Sequence, residues 1–194
     1  DYLCDGTADD VEIQAAINTL PVTGGELFFL DGTYNFSENL ICYPNSESYY
    51  ITFCGSSNSA VLNVAGNSFG YNNYGESNFT TFSLSNISVQ SMQSNFIGNG
   101  ILIFENCVVK NTNIQLSIYP SLSMVGCHIV SDTSSSINTF IYGGGYTSAS
   151  QTTFLFANNT VEIKKGTNTT LVSSGGYGSV TGNTFLASED VSVT

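Results

Sequence analysis

The side chains equipped for chemistry are few: five cysteines, one histidine and fifteen acids, against three basic residues, Lys110, Lys164 and Lys165. Asp9-Asp10 is the one adjacent acidic pair outside the C-terminus. Such a pair suits a metal or acid site, and it equally suits the positive end of a helix. His128 has no Ser-His-Asp or metal-ligand partners at matching positions, so an ordinary surface histidine stands beside the catalytic reading. The cysteines, Cys4, Cys42, Cys54, Cys107 and Cys127, contain no C-x-x-C motif, and their odd number leaves at least one free thiol or one bond to another chain. Disulfide use would imply an oxidising, extracellular setting. Tyr71, Tyr74, Tyr142, Tyr146 and Tyr177 stand in Gly-Tyr segments, where they could stack on sugar rings, bury at protein contacts or simply line loops. N-x-S/T occurs at Asn35, Asn78, Asn86, Asn158 and Asn168; these are candidate glycosylation sites, though a chain rich in Asn, Ser and Thr holds about that many by chance.

Composition narrows the partners. The net charge is -12 and arginine is absent, which excludes the basic footprint that nucleic acid requires. No run of 18 apolar residues exists to span a membrane as a helix. No cofactor motif stands out, and none is expected. At 194 residues and 41% hydrophobic, the chain is long enough for one domain with a core. It opens at Asp1 without a basic start and apolar run, as a mature or excised segment would.

The elements that must position these residues are mostly strands. Residues 7–20 carry the one helical period, with Ile13, Ala16, Ile17 and Leu20 on one face, Thr7 as candidate cap and Pro21 as stop. ELFFLDGTYNF, residues 26–36, reads as strand, Asp31-Gly32 turn and strand. Farther on, LSNISV, FENCVV, MVGCHI, FANNTV and VTGNTF align. Their columns are Leu84, Phe104, Met124, Phe156 and Val180; Asn86, Asn106, Gly126, Asn158 and Gly182; Ile87, Cys107, Cys127, Asn159 and Asn183; and Val89, Val109, Ile129, Val161 and Phe185. The spacings are 20, 20, 32 and 24 residues. A column of only Asn or Gly marks a left-handed backbone position, and the apolar columns around it point inward. Short strands and recurrent turns at this period, with no helix between, describe an all-β solenoid of stacked parallel coils.

DGTADDVEIQAAIN, GGELFFLDGTYNFS, Gly55-Ser56 and Ala60-Val61-Leu62 resemble the start of right-handed parallel β-helix proteins of the pectate-lyase-like superfamily. The match covers about the first 60 residues, the N-terminal cap and first coils; with the helical period and the repeat it gives a single domain over 1–194, with a capping helix at 7–20 and coils over 26–194, and the 32-residue step absorbs a loop insertion near 131–150, around Gly143-Gly144-Gly145. It also implies outward-facing sites: similar lyases use carboxylates, often with calcium, and a basic residue, and similar hydrolases use an acid pair. Without arginine, the lyase chemistry is poorly supplied.

A hydrolase needs two carboxyls about 5 to 9.5 Å apart, hence acids in matching columns of neighbouring coils. The alignment places none there; it pairs Asp132 with Lys164 and Lys165 with Glu189, as surface ion-pair rungs. It stacks Cys107 on Cys127, as a disulfide or a reduced sulfur ladder; Cys42 and Cys54 are a candidate pair, and Cys4 is the candidate for a bond to another chain. The C-terminal repeat stops in strand-like sequence, so either the chain continues or another subunit completes the end. The expectation is an extracellular, non-catalytic structural subunit that self-associates head to tail into a filament, sheath or adhesive layer. The alternatives are a polysaccharide lyase or hydrolase, and a carbohydrate-binding module using the tyrosines.

Overall fold

The computed structural model describes residues 2–42, 49–72, 80–97, 100–117, 120–131, 139–144, 153–163, 170–174 and 177–187. One helix, α1 (Asp10–Asn18), precedes the strands. The first sheet is built from β1 (Gly24–Phe29), β4 (Tyr49–Gly55), β7 (Thr80–Ser85), β10 (Gly100–Glu105), β13 (Pro120–Val125), β16 (Thr153–Ala157) and β19 (Tyr177–Thr181), in that order. The second is β2 (Gly32–Asn35), β5 (Ala60–Asn63), β8 (Ser88–Gln90), β11 (Val108–Lys110), β14 (His128–Ser131), β17 (Thr160–Ile163) and β20 (Thr184–Ala187). The third is β3 (Leu40–Ile41), β6 (Phe69–Asn72), β9 (Gln93–Ile97), β12 (Asn113–Ser117), β15 (Thr139–Gly144) and β18 (Thr170–Ser174). Each strand pairs in parallel with the strand three further on, so the chain makes circuits of three strands, one per sheet.

The repeat columns are the pairing register. Leu84, Phe104, Met124, Phe156 and Val180 oppose one another in turn, as do Val89, Val109, Ile129, Val161 and Phe185. The turn column has positive φ throughout: Asn86 at 50°, Asn106 at 54°, Gly126 at 66°, Asn158 at 55° and Gly182 at 64°. There the amides of the first four turn residues donate to the next circuit, as from Asn106 N–H to Val125 O at 2.9 Å. Glycine has a second reason at Gly126 and Gly182, because a Cβ would meet Oδ1 of Asn106 and Asn158 at 2.5 and 2.3 Å. In the early circuits Phe29, Phe53, Phe82, Phe69 and Phe36 touch ring to ring, at centroid distances of 5.1 to 5.9 Å, and fill the interior.

Two boundaries differ from expectation. The helix is shorter than 7–20 because residues 6–9 are held by side-chain bonds described below; Asp9, not Thr7, takes the N-cap position, and its side chain bonds outside the helix. Gly143 and Gly144, expected in an outward loop, lie in β15 opposite Leu116 and Ser117. A parallel ladder is satisfied by backbone alone, so two small residues can close a strand there.

Candidate functional site

The N-terminal end is closed by side chains of α1. Gly6 N–H donates to Asp9 Oδ1 at 2.8 Å and Asn35 N–H to Asp9 Oδ2 at 2.7 Å, while Asp9 N–H donates to Asn35 O at 2.8 Å. Asp10 Oδ1 accepts the Ser37 amide at 2.6 Å and its hydroxyl at 3.1 Å. Gln14 meets Ile41 twice, accepting its N–H at 2.7 Å and donating to its O at 3.1 Å. These three side chains replace the missing neighbour strand along β2, the segment after it, and β3. The acidic pair is therefore a structural clasp: both carboxylates are buried, and what they hold is backbone.

β1 receives no such cover. Thr23 O accepts from Tyr50 N–H, and Phe29 O from Ser56 N–H, so the odd-numbered residues face β4. Parallel alternation then turns the N–H and C=O of Glu26 and Phe28 to the other side, where no strand pairs with β1 among the described residues. Alongside runs a groove of ≈ 640 Å³ lined by Tyr2, Cys4, Glu12, Leu20, Glu26 and Phe28, among others. Glu12 Oε2 is shut off from water there without a hydrogen-bond partner. Cys4 Sγ and carboxylate oxygens of Asp9 and Glu12 lie within 4.8 Å of one another, a donor set of the type that takes a divalent cation; both Asp9 oxygens already accept backbone amides. Sequence reading saw Cys4 apart from Asp9 and took Glu12 as charge at the positive end of the helix; its i, i+3 spacing from Asp9 was the available signal.

Cys4 is half-buried and packs against the core, not exposed as its place in the chain suggests. Burial first, then the charges of Asp9, Glu12 and Asp5, push its thiol up to about 11 from 9.0. A two-unit rise lowers the thiolate fraction about 100-fold at pH 8 and raises the nucleophilicity of the remaining thiolate about 10-fold, so native Cys4 should alkylate about 10-fold more slowly than a free thiol. Mass spectrometry after iodoacetamide pulses checks this; labelling at the denatured rate would contradict it. No two of the five cysteines are bridged within this structure, Cys42 and Cys54 included. Burial raises the Cys42 thiol, which is wholly enclosed.

Cys107 and Cys127 are the reduced ladder, and the ladder continues as asparagine. Cys107 Sγ points at Leu84 O at 3.3 Å and Cys127 Sγ at Phe104 O at 3.5 Å. Asn159 Nδ2 donates to Met124 O at 3.0 Å and Asn183 Nδ2 to Phe156 O at 2.8 Å. Each column residue thus reaches the carbonyl at the same position of the preceding circuit. Thiol and carboxamide do the same work there, the thiol weakly.

The remaining sites scatter. Asn35 spends its amide nitrogen on Gly6 O at 3.0 Å, so a glycan there would break the clasp. Asn86 and Asn158 are exposed turn residues, and Asn78 and Asn168 lie outside the described residues. Tyr177 is exposed; Tyr74 and Tyr146 lie outside the described residues, and Tyr71 and Tyr142 are placed only as positions in β6 and β15. The Asp132–Lys164 and Lys165–Glu189 rungs also fall outside. A described rung of that kind is His128 Nε2 to Glu162 Oε2 at 3.3 Å, which gives the histidine a surface partner in the next circuit.

In the last described circuit the interior columns are exposed. Leu84, Phe104 and Met124 are fully buried and Phe156 is 2% exposed, whereas Val180 is 53% exposed. In the second sheet Val161 is 1% exposed and Phe185 48%. No protein-family model matches the chain, and no curated protein or solved structure matches it either.

Proposed function

We propose that the chain is a right-handed parallel β-helix of the pectate-lyase-like kind, serving as a non-catalytic extracellular subunit that stacks head to tail into a filament, sheath or adhesive layer. The observation that carries this reading is the change of Val180 and Phe185 from core columns to exposed surface in the last described circuit. Exposed interior side chains on a strand edge are what further chain or another subunit covers; where it is another subunit, a contact between unlike ends propagates into a fibre. Sedimentation velocity over a concentration series, with negative-stain electron microscopy, tests it. Mass should grow with concentration and short rods should appear; monodisperse monomers at the highest soluble concentration would end the reading.

A hydrolase is the second reading, on one observation: Glu12 and Glu26 line the same groove. Reducing-sugar release from polysaccharide panels, abolished by Glu26→Gln, would favour it over assembly.

A further inference from the structure

We propose that the groove beside β1 is a docking site for an extended, basic peptide segment of another protein, which pairs with the open edge of β1 as an added strand. The inference goes beyond the stacking reading and holds equally for a monomer.

The edge is open and its length is defined. α1 closes the β2 and β3 edges through Asp9, Asp10 and Gln14 and leaves β1 uncovered. Gly24 N–H is taken by Pro21 O at 2.8 Å, and Leu30 O by the Tyr34 hydroxyl at 2.9 Å. Between those ends the N–H and C=O of Glu26 and Phe28 turn away from β4, with no strand beside them among the described residues. A guest residue aligned in parallel with Leu27 would donate to Glu26 O and accept from Phe28 N–H, which repeats the pattern of every other pair in this sheet. Main-chain bonds of this kind supply affinity, and the surroundings of alternate side chains supply specificity.

Those surroundings select the guest. Ile13, Ala16, Leu20 and Leu27 line the groove, so the guest side chain that shares the inward face of Leu27 meets apolar atoms. The neighbours on either side project outward, beside Glu26 and Phe28. Glu12 and Glu26 also line the groove, neither carboxylate has a hydrogen-bond or ion-pair partner among the described residues, and none of the three lysines is near enough to line it. Cys4 registers the same negative field: burial first, then the charges of Asp9, Glu12 and Asp5, raise its thiol. A Lys or Arg opposite Glu26 therefore gains a cross-strand partner, whereas an acidic segment is repelled by a chain of net charge -12. Large side chains at the rim suit the aliphatic stem of such a residue: Tyr2 is 48%, Phe28 59% and Leu30 67% exposed, and all three line the groove. The preferred guest alternates basic and apolar residues.

A fluorescently labelled, amidated hexapeptide, Thr-Lys-Val-Lys-Val-Thr, tests the site by anisotropy. It should bind saturably, and its counterpart with Glu in place of both Lys should not bind. N-methylation of the first Val removes the donor to Glu26 O at unchanged charge and should weaken binding about 10-fold. Phe28→Pro deletes the outward N–H and keeps the bonds to β4, at the kind of edge position where proline is tolerated, and should cost a similar factor. Glu26→Lys, at an exposed position, should weaken binding by about 10-fold or more. Hydrogen exchange should show the Phe28 amide gaining protection with peptide while Val109 stays unchanged. An absence of saturable binding to the wild type up to about 1 mM would overturn the proposal. So would binding that N-methylation and Phe28→Pro both leave intact, because that is attraction between charges without an added strand. If Phe28→Pro fails to fold, the N-methylated peptide on the wild type decides alone. Sedimentation of the same samples reads stacking separately: a wild type that binds the peptide and stays monomeric supports this site and ends the filament reading, and rods that ignore the peptide do the reverse.

Discussion

Asn159→Ala is expected to lower stability by about 3 kcal/mol, moving the urea midpoint down by about 1 M. The residue is 1% exposed and carries four ladder bonds. Its Oδ1 accepts Cys127 N–H at 2.8 Å, its Nδ2 donates to Met124 O and Asn183 Oδ1 at 3.0 Å each, and its own N–H donates to Asn183 Oδ1 at 2.8 Å. Alanine removes the side chain and leaves a buried amide and a buried carbonyl unpaired, each costing about 1 to 3 kcal/mol. The backbone donor to Asn183 survives, so the loss stays below the sum of all four. The reverse experiment sharpens the argument. Cys127→Asn places a strong donor where a thiol now points at Phe104 O, and an oxygen where Cys107 N–H meets sulfur. That change should stabilise by about 1 kcal/mol, within what the extra side-chain volume permits. An Asn159→Ala midpoint equal to wild type would show that the ladder decorates the core without holding it.

That ladder shows where legibility in the sequence stops. The turn column could be read because Asn and Gly are the residues that tolerate positive φ, and every one of its five members has it. A second turn repeats at Ala65, Ser91 and Asn111, with φ of 52°, 57° and 50°, and was invisible because Ala and Ser carry no such preference. The inward columns of the first two sheets follow period two and were read in register. The third sheet starts as the two-residue β3 and continues through segments with no shared composition, so its strands, β15 among them, had no signal. At the site, the acidic pair was conspicuous and its task was not: Asp9 and Asp10 act on Asn35 and Ser37, 26 and 27 residues away. Only the fold says which amides lack a neighbour. The open β1 edge is legible for the same reason alone, as what remains once the helix has covered the rest.

Asp9→Ala should be the most damaging single change at the N-terminal end, lowering stability by about 4 kcal/mol. The carboxylate is 0% exposed and accepts two backbone amides, Gly6 and Asn35, and bonds to charged acceptors contribute about 1.5 to 3 kcal/mol each. Both donors stay behind, and Asn35 N–H lies on the edge of β2 that the helix exists to cover. The damage should be local before it is global. Hydrogen exchange should show Asn35, Ser37 and Ile41 amides losing protection while Val109 and Ile129, several circuits away, keep theirs. Asp9→Asn, which retains one acceptor, should fall between the two. Protection unchanged at Asn35 would mean that the helix docks by Ile13 and Ile17 alone, with the clasp contributing nothing to closing that end.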